Sequence, residues 1–238
     1  MKNLTSCDLV CEAYSKGELE AERVTCTKLQ DFTLASWPCY RDAIPQFFSR
    51  LLLPSLSSFK AKCSMGSIMP NPEDSFRSIR HAINVSQSPL TTLEFENGPI
   101  AEEDLLSILR TTPTLEFLKL VDVGPHAITD QTLNELTVRP NKDFITPRLS
   151  SLHLISEVEF TSRKFVAMVE SRQNGLLGVD HLKSVIIGWV TDEDDLNENE
   201  ASNVDILSAL DTYRSEGLEF ILMTEKRTAQ DSEDETED

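Results

Sequence analysis

Glycine is scarce in this chain, with 8 among 238 residues. That scarcity argues against the glycine-rich loops that cradle phosphates on bare backbone. No run of 18 apolar residues occurs, so no segment reads as a membrane helix. The N-terminus runs from Met1 through Leu4 to Cys7, Asp8 and Glu12 without the apolar core of a signal peptide. A cytoplasmic or nuclear location is expected, with the sequons at Asn3 and Asn84 unused. Cysteine is limited to five, at positions 7, 11, 26, 39 and 63, an odd number that fits reduced thiols better than a disulfide framework. The four histidines all lie downstream, at 81, 126, 153 and 181, so no zinc-ligand spacing forms and no metal is expected. Basic residues are outnumbered, 22 against 40 acids, and a net charge of −18 argues against a nucleic-acid surface. Neither a Gly-x-Ser-x-Gly elbow nor a His-Glu-x-x-His helix is present, so the expectation is a non-catalytic chain without a cofactor.

What the chain does have is a recurring phrase, Leu-x-x-Leu-x-Leu. Clear copies are Leu90/Leu93/Phe95, Leu115/Leu118/Leu120, Leu149/Leu152/Leu154 and Leu182/Val185/Ile187. Looser copies are Leu4/Cys7/Leu9, Leu29/Phe32/Leu34, Leu56/Phe59/Ala61 and a degraded one at Gly217/Phe220/Leu222. Successive offsets are 25, 27, 34, 25, 34, 33 and 35 residues. Such a period implies one strand per unit, each unable to bury its apolar side alone and therefore stacked on its neighbours. The fold class expected is α/β: a leucine-rich-repeat solenoid of about eight units over residues 1–226, with parallel strands on the concave face and helices on the convex face. A doubly wound sheet also alternates strands and helices. It would show continuous Val/Ile-rich strands and a glycine-rich turn, which this chain lacks.

Helical spacing follows the strands. Leu105, Leu106, Ile108 and Leu109 share the pattern of Phe165, Val166, Met168 and Val169, and of Ile206, Leu207, Ala209 and Leu210. Thr129 and Thr161 are placed to cap helix starts. Pro54, Pro89, Pro113 and Pro147 precede strand phrases and are expected to end helices there. From Ile187 to Ile206 the strand-to-helix interval is 19 residues, against 10 from Phe95 to Leu105. This makes residues 191–203 an acidic insertion on one edge, expected to be solvated chain. Residues 227–238 read as a disordered acidic tail, with Ser232 before three acids as a weak kinase target.

The positions between the apolar residues of each phrase should project to the concave side. They are mostly small and hydroxylated, as at Ser57, Ser58, Thr91 and Ser150. Candidate partner-binding residues are Glu94, Glu116, Phe117, Lys119, Ser151, His153, Lys183 and Ile186, with Phe117 and Ile186 as the exposed apolar points. Phe117 is either an anchor or packed against a residue of the next strand such as Ser150. Trp37, Tyr40 and Trp189 follow strand phrases, where they would line the rim or join the core.

The run Pro89-Leu-Thr-Thr-Leu-Glu-Phe95, the helix Glu102-Glu-Asp-Leu-Leu-Ser-Ile-Leu-Arg110 and the run Thr112-Pro-Thr-Leu-Glu-Phe-Leu-Lys-Leu120 carry a resemblance. It continues through Ile128-Thr129-Asp130 and Pro147 to Leu154, and through Phe165 to Arg172. This region resembles the leucine-rich repeats of fungal F-box proteins, especially those of mushroom-forming basidiomycetes. The resemblance implies a protein-recognition module that selects substrates for an SCF ubiquitin ligase, and hence a protein partner awaiting ubiquitylation. The F-box of such proteins opens near a Leu-Pro, yet the single Leu-Pro here, Leu53-Pro54, belongs to a repeat. With the first phrase at Leu4, the expectation is that the F-box itself is absent. The other expectations are a free-standing scaffold or inhibitor without ligase linkage, or a truncated gene product with no independent function.

Overall fold

A computed structural model describes residues 3–11, 23–36, 43–63, 72–140, 144–156, 159–175, 178–191 and 196–226. The chain is α/β, built on an eight-stranded parallel sheet. Its strands are β1 (Ser6–Cys11), β3 (Asp31–Ser36), β5 (Ser58–Cys63), β6 (Thr92–Glu96), β7 (Phe117–Val121), β8 (Ser151–Ile155), β9 (Ser184–Thr191) and β10 (Glu219–Lys226). Two further strands, β2 (Val24–Thr25) and β4 (Leu51–Leu52), pair with each other outside it. The large sheet adds its strands strictly in chain order, with no point where the order reverses. Each of the eight phrases lands on one of these strands. In the last unit the buried leading residue is Leu218, not Gly217, which takes a left-handed φ of +110°.

Constant register turns the phrase into columns. Cys7, Phe32, Phe59, Leu93, Leu118, Leu152, Val185 and Phe220 lie opposite one another across the sheet. The column two residues on runs from Leu9 through Leu120 to Leu222. Because strand side chains alternate sides, both columns share one face and merge with the helices' apolar residues into one core. Phenylalanines dominate its first half: Phe32 stacks on Phe59 at 5.8 Å, and Phe59 meets Phe95 edge-on at 5.9 Å.

The helices are α1 (Ala43–Phe48), α2 (Pro72–Ser86), α3 (Glu102–Thr111), α4 (Asp130–Leu136), α5 (Ser162–Gln173) and α6 (Leu196–Ser215). Leu105, Ile108 and Leu109 of α3, Phe165, Met168 and Val169 of α5, and Ile206 and Leu210 of α6 all enter the core, as their spacing implies. The starts of α4 and α5 are tied to the preceding helix. Glu102, the first residue of α3, accepts from the Thr132 amide at 3.0 Å and from the Thr132 hydroxyl at 2.6 Å. Asp130, first in α4, accepts in turn from the Thr161 amide at 2.8 Å. Thr129 caps its own helix as expected, accepting from the Gln131 amide. The Thr161 hydroxyl instead donates to Asp130, so its capping oxygen serves the neighbouring unit.

Two sequence expectations change. Pro89 and Pro113 do follow helices, but Pro54 follows β4, and Pro147 lies well beyond the end of α4. Their shared role is the extended lead into a strand rather than helix termination. The acidic stretch 191–203 is not one solvated loop: β9 continues to Thr191, and the backbone is helical from Leu196. Acidic residues suit the amino-terminal turns of a helix, where the macrodipole is positive. The backbone of Trp189 belongs to β9, while Trp37, Tyr40, residues 192–195 and the acidic tail 227–238 lie outside the described residues. Cys7 and Cys26 are free thiols, and burial, followed by Asp8 and Cys26, raises the Cys7 pKa.

Candidate functional site

The alternate strand residues face away from the helices and form three rows on the open side of the sheet. The middle row reads Lys60, Glu94, Lys119, His153, Ile186, Ile221 from β5 to β10. One flanking row reads Ser58, Thr92, Phe117, Ser151, Ser184, Glu219. The other reads Lys62, Glu96, Val121, Ile155, Gly188, Met223. Of the candidate residues, Glu94, Phe117, Lys119, Ser151, His153 and Ile186 therefore share this face. Glu116 and Lys183 are exposed but stand one residue ahead of β7 and β9, on the sheet's amino-terminal rim.

Chemistry divides the face in two. On β5–β7 the charges are paired across strands. Lys60 meets Glu94 at 2.8 Å, and Glu96 takes Lys119 at 2.6 Å and Lys62 at 3.3 Å. Opposite charges on neighbouring strands stabilise each other modestly where solvent screens them. The Lys119 hydrogen bond holds the Glu96 carboxyl below its ordinary pKa, and the Glu94 hydrogen bond raises that of Lys60.

On β7–β10 the face turns apolar. The Phe117 ring meets His153 edge-on at 4.8 Å, and Ser151 Oγ shares a 3.3 Å hydrogen bond with His153 Nε2. Phe117 lies in register with Ser151 rather than Ser150, and it is the diagonal histidine that engages its ring. Burial, then the Lys119 ammonium, lowers the His153 pKa, which keeps the ring neutral at pH 7. Ile186 continues the row, and Ile221 stands 39% exposed at its end. A Cβ at Gly188 would come within 2.9 Å of Ile155 Cγ2, so the glycine leaves room for the isoleucine beside it.

Part of the hydroxylated surface serves the stack itself. Ser57 donates to the Gln30 carbonyl at 3.1 Å, Thr91 to the Ser57 carbonyl at 3.1 Å, and Ser150 to the Glu116 carbonyl at 3.3 Å. These residues tie each unit to the one before it. Sequence reasoning missed Ile221, Val121, Ile155 and Met223 as face residues. For Ile221 the signal was present: it is the outward residue between Phe220 and Leu222.

Ser151 and His153 form a pair, but no described carboxylate hydrogen-bonds the imidazole to orient it as a base. Among the described residues no group of three or more His, Cys, Asp or Glu side chains could hold a metal ion. No helix among them is long and apolar enough to cross a membrane. No protein family, curated protein or solved structure matches the chain.

Proposed function

We propose that the chain is a leucine-rich-repeat solenoid whose open sheet face recognises another protein without catalysing a reaction. The carrying observation is the row His153–Ile186–Ile221, an imidazole and two isoleucines on the face opposite the core, beside the Phe117 ring. Strands added in chain order, and one register throughout, support the repeat architecture. Contiguous apolar surface bounded by polar residues is the usual mark of a binding face. Substrate selection for an SCF ubiquitin ligase is the setting suggested by the resemblance to fungal F-box repeats. A free-standing scaffold or inhibitor uses the same face without the ligase.

The test is quantitative mass spectrometry of proteins co-purifying with the tagged chain from native extract, set beside the Ile186→Glu variant. A stoichiometric partner lost with the variant is the expected result. Recovery of the SCF linker and cullin favours ligase adaptation, and their absence beside such a partner favours the scaffold. Identical profiles for both proteins overturn recognition through this face.

A further inference from the structure

The geometry points to an amphipathic α-helix of a partner protein, lying across β7–β10, as the occupant of the apolar half of the open face. This rests on the recognition reading above and specifies its partner. The patch is wide across the strands and short along them. One row passes through His153, Ile186 and Ile221 on β8–β10, and the other through Val121, Ile155, Gly188 and Met223 on β7–β10. Neighbouring strands lie about 4.8 Å apart, so the three steps from β7 to β10 span about 14 Å. Three turns of an α-helix advance about 16 Å. Three same-face steps of an extended peptide cover about 20 Å and overrun the row. Laid along the strands instead, an extended peptide leaves the apolar rows after two contacts and meets Ser151, Ser184 and Glu219. A helix has the matching pitch, with its ridge settling between the two rows.

Charge selects which helix. The lysines of the polar half are already engaged, Lys60 by Glu94, and Lys62 and Lys119 by Glu96. Along the amino-terminal edge of the apolar half, three charged side chains have no ion pair among the described residues. They are Glu116 ahead of β7, Lys183 ahead of β9 and Glu219 opening β10, all exposed. The complementary helix therefore carries a basic, an acidic and a basic residue along that flank. The first interval is about two turns and the second about one, following the strand spacing.

Two displayed libraries, sorted on the full chain, test this. One presents alanine-framed helices of about 16 residues, and the other proline-flanked extended segments of about eight. Both are counter-sorted on Ile186→Glu and Ile221→Glu, each first shown to melt cooperatively; should Ile186→Glu fail to fold, Ile221→Glu decides. Enriched helices with one apolar stripe and a basic, acidic, basic order along one flank are expected, losing at least about tenfold in affinity on either variant. Glu219→Lys should weaken such a clone and strengthen its charge-reversed version. Helices indifferent to Glu219→Lys, or extended clones alone that depend on Ile186, overturn this inference and leave the recognition reading standing. Clones that bind the Glu variants as well as the parent, or no clone from either library, overturn the recognition reading itself.

Discussion

Thr146 holds its backbone at φ +48°, and the guanidinium of Arg172 closes on it, with Nη1 3.2 Å from its carbonyl oxygen and Nη2 3.4 Å from its hydroxyl. A β-branched residue in the left-handed region is strained and persists only where its surroundings enforce it. Arg172 also donates from Nε to the Leu136 carbonyl at 3.0 Å, the last residue of α4, and from Nη2 to the Ile145 carbonyl at 3.2 Å. The side chain is 1% exposed, and burial lowers its pKa to about 10. It stays charged at neutral pH and serves the carbonyl end of α4, where a cation complements the macrodipole.

Arg172→Met should therefore destabilise the fold, because it removes the side-chain donor from the carbonyls of Leu136 and Ile145, while the Thr146 carbonyl keeps only the Leu149 amide. A cost of about 2–4 kcal/mol is expected. In a chain of this size that lowers the melting temperature by roughly 5–15 °C. Thr146→Gly should change stability far less, since relief of backbone strain offsets the lost hydroxyl contact. Calorimetry of both variants checks the pair, and an unchanged Arg172→Met transition would exclude the clasp.

Glu102 should matter through α4, although it belongs to α3. Glu102→Ala removes the acceptor for the Thr132 amide and for two hydroxyls, those of Thr129 and Thr132. A loss of about 1–2 kcal/mol is expected in urea unfolding. Glu102→Gln, which keeps a carbonyl oxygen, should recover part of it.

Leu118 sits 1% exposed between Leu93 and Leu152 in the buried column. Leu118→Asp places a carboxylate there without a partner and should abolish the cooperative transition seen by circular dichroism. A sharp transition in that variant would contradict the column register.

His153 should make stability depend on pH. Its folded pKa lies below the ordinary 6.5, so between the two values the unfolded chain binds more protons. Stability contributed by the neutral ring is present above pH 6.5 and is lost as the pH falls from there toward the folded pKa. The urea midpoint should decline from pH 7 toward pH 5.5, and His153→Gln should flatten part of that decline. Glu96 acts in a lower window: its depressed pKa adds stability that disappears only as acid protonates the folded carboxylate.

The eight strands were legible in the sequence because each phrase is short and local. Buried Leu90, Leu93 and Phe95 recur as Leu115, Leu118 and Leu120, and period alone reveals them. The helices were legible where apolar spacing repeats, as at Leu105 and Phe165. The β2–β4 pair was not, because Val24–Thr25 and Leu51–Leu52 are too short to show a pattern.

Six of the eight candidate residues lie on the strands of the open face, and the reason is the two-residue alternation of a strand. The division of that face into a charge-paired half and an apolar half was not readable, since it depends on which strand lies beside which. Lys119 reaches Glu96 across 23 positions, and Arg172 reaches Leu136 across 36. By itself the sequence determined the strands, their buried sides and most of the core, because those follow from local periodicity and the transfer of apolar side chains out of water. Only the tertiary structure decided which outward residues bind one another and which remain free to meet a partner. Those pairings depend on stacking distant units in one register, which brings together side chains that no local spacing relates.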